Sequence, residues 1–282
     1  MTRVAVVIPC YEDALVVEAV ESVRAQGEPC ELVVVDDGSR DPETLAALDA
    51  LAAQGVHVVR RRNGGLAAAR MTGVEETAAP YVFPLDADDL LEPGILRVLA
   101  DALDAAPRAG VAWGNVRIFG DFELALRPAT SLDAWKLTFV NEIPGTSLVR
   151  RTALLDAGGW KMRRAYEDWD LWLSFAERGW EGVYVPAPML LYRRHGTRML
   201  GDAIPIHDEL AAELRSRHAA LFGDRRRLRR QSLAPRHVKV GLTLLAATPT
   251  LSAFTRLRLA HALSRPREVL AMRRRRRTTI GE

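Results

Sequence analysis

Tyr81-Val82-Phe83-Pro84-Leu85-Asp86-Ala87-Asp88-Asp89 is the stretch on which the fold turns. Residues 81–85 make a short apolar strand, and three carboxylates in the next four residues end it. Carboxylates crowded in this way repel one another and are costly at a partly buried strand end unless a cation lies between them. Oxygen ligands suit Mg²⁺ or Mn²⁺, and such an ion commonly bridges protein carboxylates to substrate phosphates. A plainer reading is also open, in which the cluster is a solvated turn or Asp88 and Asp89 cap the helix that follows.

Towards the N-terminus the same unit of strand, loop and helix recurs. Val4 to Ile8 is a β-branched run suited to a buried parallel strand, and Leu15 to Ala25 reads as a helix. Leu32 to Val35 is a second strand, stopped by Asp36-Asp37-Gly38-Ser39, and Pro42 to Ala53 has helical spacing that Gly55 closes. Val56 to Arg60 gives a third strand and Leu66 to Thr77 another helix. This alternation predicts an α/β fold with a mostly parallel central sheet flanked by helices on both faces. Ligands bind such sheets beyond the carboxyl ends of the strands, where the polar clusters of this chain stand.

Towards the C-terminus the pattern loosens. After a helix at Leu96 to Ala105 come a strand at Val111 to Phe119 and a segment with Gly145-Thr146-Ser147. A helix follows at Asp168 to Arg178, with Trp169, Trp172, Leu173 and Ala176 on one face and Gly179 at its end. Val183 to Val185 and Leu190 to Arg193 read as two late strands, ahead of the loop His195-Gly196-Thr197-Arg198.

Charge divides the chain near Asp224. Residues 1–224 carry 23 basic and 34 acidic side chains, a balance of −11, whereas residues 225–282 carry 16 and 2, a balance of +14. The expected organisation is a catalytic domain over 1–224 and a basic helical extension over 225–282. Apolar stretches at Val238 to Ala247 and Leu251 to Leu263 are too short and interrupted to span a bilayer. Arg225 to Arg230 and Arg273 to Arg277 bracket them, so helices lying on an anionic membrane surface are one reading. Packing of the extension on the domain, or a homodimer contact, is the other. Cys10 and Cys30 offer neither a disulfide framework nor a zinc site, and no secretory signal opens the chain; the expectation is a cytoplasmic protein, attached peripherally to membrane if the first reading of the extension holds.

Four further constellations have the chemistry of a site. Asp37, at a strand end, can accept from a nucleotide base or ribose, or serve only a turn. Asn63-Gly64-Gly65 opens a helix with Arg70 one turn in, placed to meet a phosphate, yet it has neither dinucleotide-fingerprint spacing nor a P-loop lysine. Glu167, Asp168 and Asp170 stand at a helix N-terminus, where the dipole favours an anionic carboxylate able to take a proton, and where acids also gather as caps. Tyr192-Arg193-Arg194-His195 brings an imidazole and two guanidinium groups to the end of a late strand, suited to a metal or a diphosphate.

Taken in order, these pieces resemble the family 2 glycosyltransferases, inverting enzymes of the GT-A nucleotide-sugar-binding fold. The matching segments are Val6 to Tyr11, Val34 to Ser39, Asn63 to Arg70, Leu85 to Asp89, Gly158-Gly159-Trp160, Glu167 to Asp170 and Tyr192 to His195, which together cover roughly 4–198. The resemblance implies a nucleotide pocket at Pro9, Tyr11, Asp37 and Arg70, with Tyr11 stacking near the base. It implies a DxD motif at Asp86-Ala87-Asp88, with Asp86 towards the ribose and Asp88 on a divalent cation, Mn²⁺ or Mg²⁺. Asp168 is the implied catalytic base, and His195 matches a position that helps hold the metal or diphosphate in some members.

The implied reaction moves a sugar from a nucleoside-diphosphate sugar to an acceptor hydroxyl with inversion, in glycan, glycolipid or natural-product biosynthesis. The acceptor is a glycan, a lipid-linked molecule or a small molecule. The chain lacks the transmembrane helices and the Gln-x-x-Arg-Trp motif of processive relatives, so single addition is expected. Selectivity for donor and acceptor is expected from Val111 to Trp160 and from the loop after His195. A nucleotidyltransferase of related architecture is the nearest enzymatic rival, but Pro9-Cys10-Tyr11-Glu12 is not the basic glycine-rich loop that such enzymes carry after the first strand. A nucleic-acid-binding role rests on charge alone, since Phe254 is the only aromatic in 225–282.

Overall fold

β1 (Val4–Cys10) is buried at all seven positions, so it needs neighbours on both edges and a layer on each face. The computed structural model, which describes residues 2–195, 205–248, 250–266 and 269–270, supplies them. The first half runs α1 (Val16–Arg24), β2 (Cys30–Asp36), α2 (Pro42–Ala53), β3 (His57–Arg60), α3 (Leu66–Glu75) and β4 (Tyr81–Pro84). β2 and β4 flank β1 in parallel, and β3 pairs in parallel with β2. The register aligns Cys10 with Asp36 and Val7 with Pro84, which brings the three polar strand ends to one edge of the sheet.

Local sequence explains these elements. Pro42 starts α2 behind an Asp41 cap whose carboxylate accepts from the Thr44 N–H over 2.8 Å. α3 lies close against β1 because Gly73 faces Val7; a Cβ there would come within 2.2 Å of Val7 Cγ1. That approach sets the depth at which Arg70, one turn earlier, enters the site.

The second half runs β5 (Leu90–Leu91), α4 (Ile95–Ala105), β6 (Ala109–Gly120), β7 (Leu124–Leu126), α5 (Ala134–Leu137), β8 (Leu148–Arg150), α6 (Arg151–Asp156), α7 (Glu167–Glu177) and β9 (Glu181–Arg194). The nine-stranded sheet has the order β3-β2-β1-β4-β8-β6-β9-β5, with β7 on β6. It is parallel from β3 to β4 and mixed beyond, because β8 enters antiparallel between β4 and β6. α4 covers this half with a stripe of Leu96, Leu99, Ala100 and Leu103, fully buried at helical spacing.

One expectation is corrected here. Val183 to Val185 and Leu190 to Arg193 are not two strands but parts of β9, a single strand of 14 residues along β6. The register slips opposite Trp113, Asn115 and Val116, where Pro186 and Pro188 cannot donate to the ladder and bulges absorb the mismatch.

Beyond β9 lie α8 (His207–Arg217), α9 (Ala219–Gly223), α10 (Arg225–Gln231), α11 (Arg236–Ala246) and α12 (Ala253–Ser264). The described part of the basic extension packs on the first 224 residues. Ser232 Oγ donates to Asp133 Oδ2 over 2.6 Å, Arg225 Nε donates to Thr138 Oγ1 over 2.9 Å, and Val238, Leu242 and Ala260 are buried. No helix among the described residues is long and apolar enough to cross a membrane. Gly196 to Arg198 and Arg273 to Arg277 lie outside the described residues.

Candidate active site

The polar strand ends open into a cleft of about 760 Å³. Pro9, Tyr11, Arg70, Asp86, Asp88, Asp168 and His195 all line it. Tyr11 is 53% exposed, an aromatic face held at the mouth without covering.

Asp37 is the exception. It is 3% exposed and does not line the cleft. Its carboxylate accepts from the Gly64 N–H over 3.0 Å and the Gly65 N–H over 2.7 Å, and Arg61 Nε lies 3.3 Å away. Its oxygens therefore hold the loop that launches α3.

Arg70 joins the two acidic motifs. Fully buried, it donates from Nη2 to Asp86 Oδ1 over 2.8 Å and from Nη1 to Glu167 Oε1 over 2.9 Å, with Trp160 stacked 5.7 Å from the guanidinium. Burial works against its charge, but Asp86 and Glu167 hold its pKa above the ordinary value.

Each acid of Glu167-Asp168-Trp169-Asp170 points a different way, because successive helical positions are about 100° apart. Glu167 goes to Arg70. Asp170 is fully buried and turns to α8 and its C-terminal neighbour, accepting from Arg217 Nε over 2.6 Å and Nη2 over 3.0 Å, with His218 Nε2 at 3.0 Å. Glu167 and Asp168 both line the cleft, Glu167 already engaged by Arg70.

α7 follows Tyr166, in the left-handed region at φ 64°, which makes no side-chain cap, but Asp168 Oδ1 accepts from the Trp169 N–H in the first turn over 2.7 Å; α4 follows Gly94 and is capped by neither Asp88 nor Asp89. The Asp168 carboxyl is pushed up to about 7, first by burial and then by the charge of Glu167. A carboxylate poised near neutrality is suited to exchanging a proton.

At the opposite wall Asp89 ends the acidic turn from the inside. Fully buried, it accepts from the Arg193 N–H over 2.8 Å, while Arg193 Nε donates to the Asp88 carbonyl over 2.9 Å. These bonds tie the turn to β9, so that His195 Nε2 reaches to 3.1 Å from Asp88 Oδ2. Burial, and then the charge of Asp86, raise the Asp88 pKa.

Sequence reasoning missed the residues around Asp168. Asn141 Oδ1 accepts from the Ile143 N–H over 3.1 Å, which orients its amide so that Nδ2 donates to Asp168 Oδ2 over 2.9 Å. Gly145 packs on the same carboxylate, since a Cβ there would lie 3.2 Å from Asp168 Oδ2. Glu142 and Arg265, the latter from the basic extension, also line the cleft. No local pattern marks a lone Asn in an irregular segment; the Gly145-Thr146-Ser147 turn was the nearest signal.

The model of Glycosyl transferase family 2 matches residues 5–168. The succinoglycan biosynthesis protein ExoO of Rhizobium meliloti is 34% identical over 142 residues, covering 46% of this chain and 40% of ExoO. A glycosyltransferase of Mycobacterium tuberculosis described as uncharacterized is 29% identical over 194 residues, covering 64% of this chain and 82% of that protein. The chain thus spans less than half the length of several curated relatives that it matches, 40% of ExoO and 29% of ExoU from the same organism. Among solved structures, S. aureus TarS 1-349 in complex with UDP-GlcNAc superposes with a TM-score of 0.57 at 15% identity, over 92% of this chain and 91% of that one, a likeness of fold. With a GT-A architecture and a family match over more than half its length, the chain belongs to glycosyl transferase family 2.

Proposed function

We propose that the cleft transfers a sugar from a nucleoside-diphosphate sugar to an acceptor hydroxyl, with inversion at the anomeric carbon. The observation that carries this reading is the bridge from Asp86 through Arg70 to Glu167, which joins the donor-side motif to the helix that bears Asp168. In this reading Pro9 and Tyr11 hold the nucleotide, Tyr11 by stacking, and Asp37 acts through the loop at Gly64 and Gly65. The acceptor oxygen attacks the anomeric carbon and gives its proton to Asp168. The bond from that carbon to the diphosphate breaks, and its electron pair leaves with the nucleoside diphosphate.

The donor set suits a hard divalent cation, Mn²⁺ or Mg²⁺. Among the described residues no three His, Cys, Asp or Glu side chains stand close enough to hold a metal unaided. Asp88 and His195, 3.1 Å apart, would supply two ligands and leave positions for diphosphate oxygens and water. When bound, the ion would offset charge on the departing diphosphate.

Residues 1–224 are then the catalytic unit and 225–282 its basic extension. Single addition rests on the missing Gln-x-x-Arg-Trp motif. Attachment to an anionic membrane, near a lipid-linked acceptor, rests on the +14 balance and on Arg226, Arg227, Arg229 and Arg230, all exposed.

A panel of nucleotide sugars, assayed with and without Mn²⁺ for thermal stabilisation and for transfer or slow donor hydrolysis, tests the reading. One donor is expected to stand out, and only with the cation. A flat response across the panel, or full transfer by a folded, donor-binding Asp168→Asn, would overturn it.

A further inference from the structure

A second cavity, of about 340 Å³, lies between the catalytic half and the helical extension, and it shares no lining residue with the cleft. Its size is at the lower end of the roughly 300–1,000 Å³ typical of small-molecule pockets, enough for a head group with a short chain. Its walls carry Arg215 from α8, Arg225 from α10 and Arg256 from α12, and no Asp or Glu. Among the described residues none of these three arginines pairs with a carboxylate within 4.0 Å, whereas Arg70 pairs with two; Arg225 and Arg256 are partly buried and Arg215 is exposed.

Arg225 is built in. Its guanidinium is held by Thr138, whose Oγ1 accepts from Nε over 2.9 Å, and lies between the rings of Phe139 at 4.4 Å and Phe222 at 4.9 Å. Burial, followed by the charges of Arg215 and Arg256, brings its pKa down to about 10. The remaining wall carries His207 and is otherwise largely apolar, with Leu245, Leu257 and the ring of Trp169.

We propose that this cavity binds a single-chain phosphate monoester, its oxyanion on Arg215, Arg225 and Arg256 and its chain against Phe139, Phe222, Leu245 and Leu257. Guanidinium groups match phosphate oxygens bidentately, and the adjoining apolar wall favours an ester over the free ion. Because α10 and α12 supply two of the three arginines, the bound ester would also fasten the extension to the catalytic half. Trp169, next to Asp168 in sequence, lies on that wall and so reports occupancy.

The test titrates octyl phosphate, inorganic phosphate and octanol into the full chain, followed by calorimetry and tryptophan fluorescence. Octyl phosphate is expected to bind at least about tenfold more tightly than either of the others, since each charge-assisted contact is worth on the order of tenfold in affinity. The double variant Arg215→Gln/Arg256→Gln removes two rim cations that pair with no described carboxylate, and is expected to weaken binding by about ten- to a hundredfold. Arg265→Gln, which alters a cation of the cleft instead, is expected to leave octyl phosphate binding unchanged. Equal affinity for the three probes, undiminished binding by the double variant, or loss of binding in Arg265→Gln would each overturn the assignment.

Discussion

Arg70 reaches Glu167 over 2.9 Å across 97 residues of sequence, and with its other nitrogen it holds Asp86. The two carboxylates that frame the cleft are thus positioned by one buried cation. Removing it would leave Glu167 charged and buried without a counter-ion. Arg70→Met is expected to cost about 3–5 kcal/mol of folding stability, read as a lower urea midpoint. Arg70→Lys keeps the charge but cannot span both acids, so it should retain more stability while losing donor binding.

Asp168 illustrates the opposite arrangement, a carboxyl held against its own charge. Because its pKa is raised in the fold, the protonated form is favoured there. Its contribution to stability is present below the ordinary value of 3.8 and is lost as pH rises through about 7. Asp168→Asn is therefore expected to become more stable than the wild type as pH is raised across that window, while transfer falls by about 10²–10⁴-fold with donor binding kept. Denaturation midpoints at several pH values, together with donor thermal shifts, check both halves.

Asn141 donates to the anionic form of Asp168 and so favours it. With Asn141→Leu the Asp168 pKa should climb further, moving the acidic limb of the kcat/KM profile to higher pH. A profile that loses height without shifting would mean that Asn141 only shapes the pocket.

Asp170 and His218 form a pH-dependent clasp between α7 and the start of α9. Burial opposes the charge on His218, but its contacts with Asp170 and Glu177 raise its pKa above 6.5. The stabilisation is complete below that ordinary value and is lost as pH rises through the raised one. The stability gap between wild type and His218→Gln should accordingly be widest in mildly acidic buffer and close in alkaline buffer, as read by thermal unfolding.

His195 stands 3.1 Å from Asp88 and is itself exposed. His195→Ala should raise the Mn²⁺ concentration needed for half-maximal transfer by about tenfold or more without altering the melting temperature. Chelation by EDTA should abolish transfer in both proteins, and added Mn²⁺ should restore it.

Strand-end acids, the helix-opening glycines and the order of the motifs were legible in the sequence because each depends on neighbours a few residues away. Val4 to Ile8 must be buried, Asp86 to Asp89 must end a strand, and Gly65 must precede a helix, whatever the rest of the chain does. Partnership is another matter. Glu167, Asp168 and Asp170 are indistinguishable in sequence as acids at a helix start. Only the fold sends one to Arg70, one to the cleft and one to Arg217 and His218, because helical rotation aims them at elements far apart in the chain.

The same reason hid Asn141 and the hold of Asp37 on the loop at Gly64 and Gly65, since a side chain's hydrogen bonds are decided by what packs against it. By itself, then, the sequence determined the α/β architecture, the family resemblance and the edge of the sheet where ligands belong. The tertiary structure decided the partner of each acid at the start of α7.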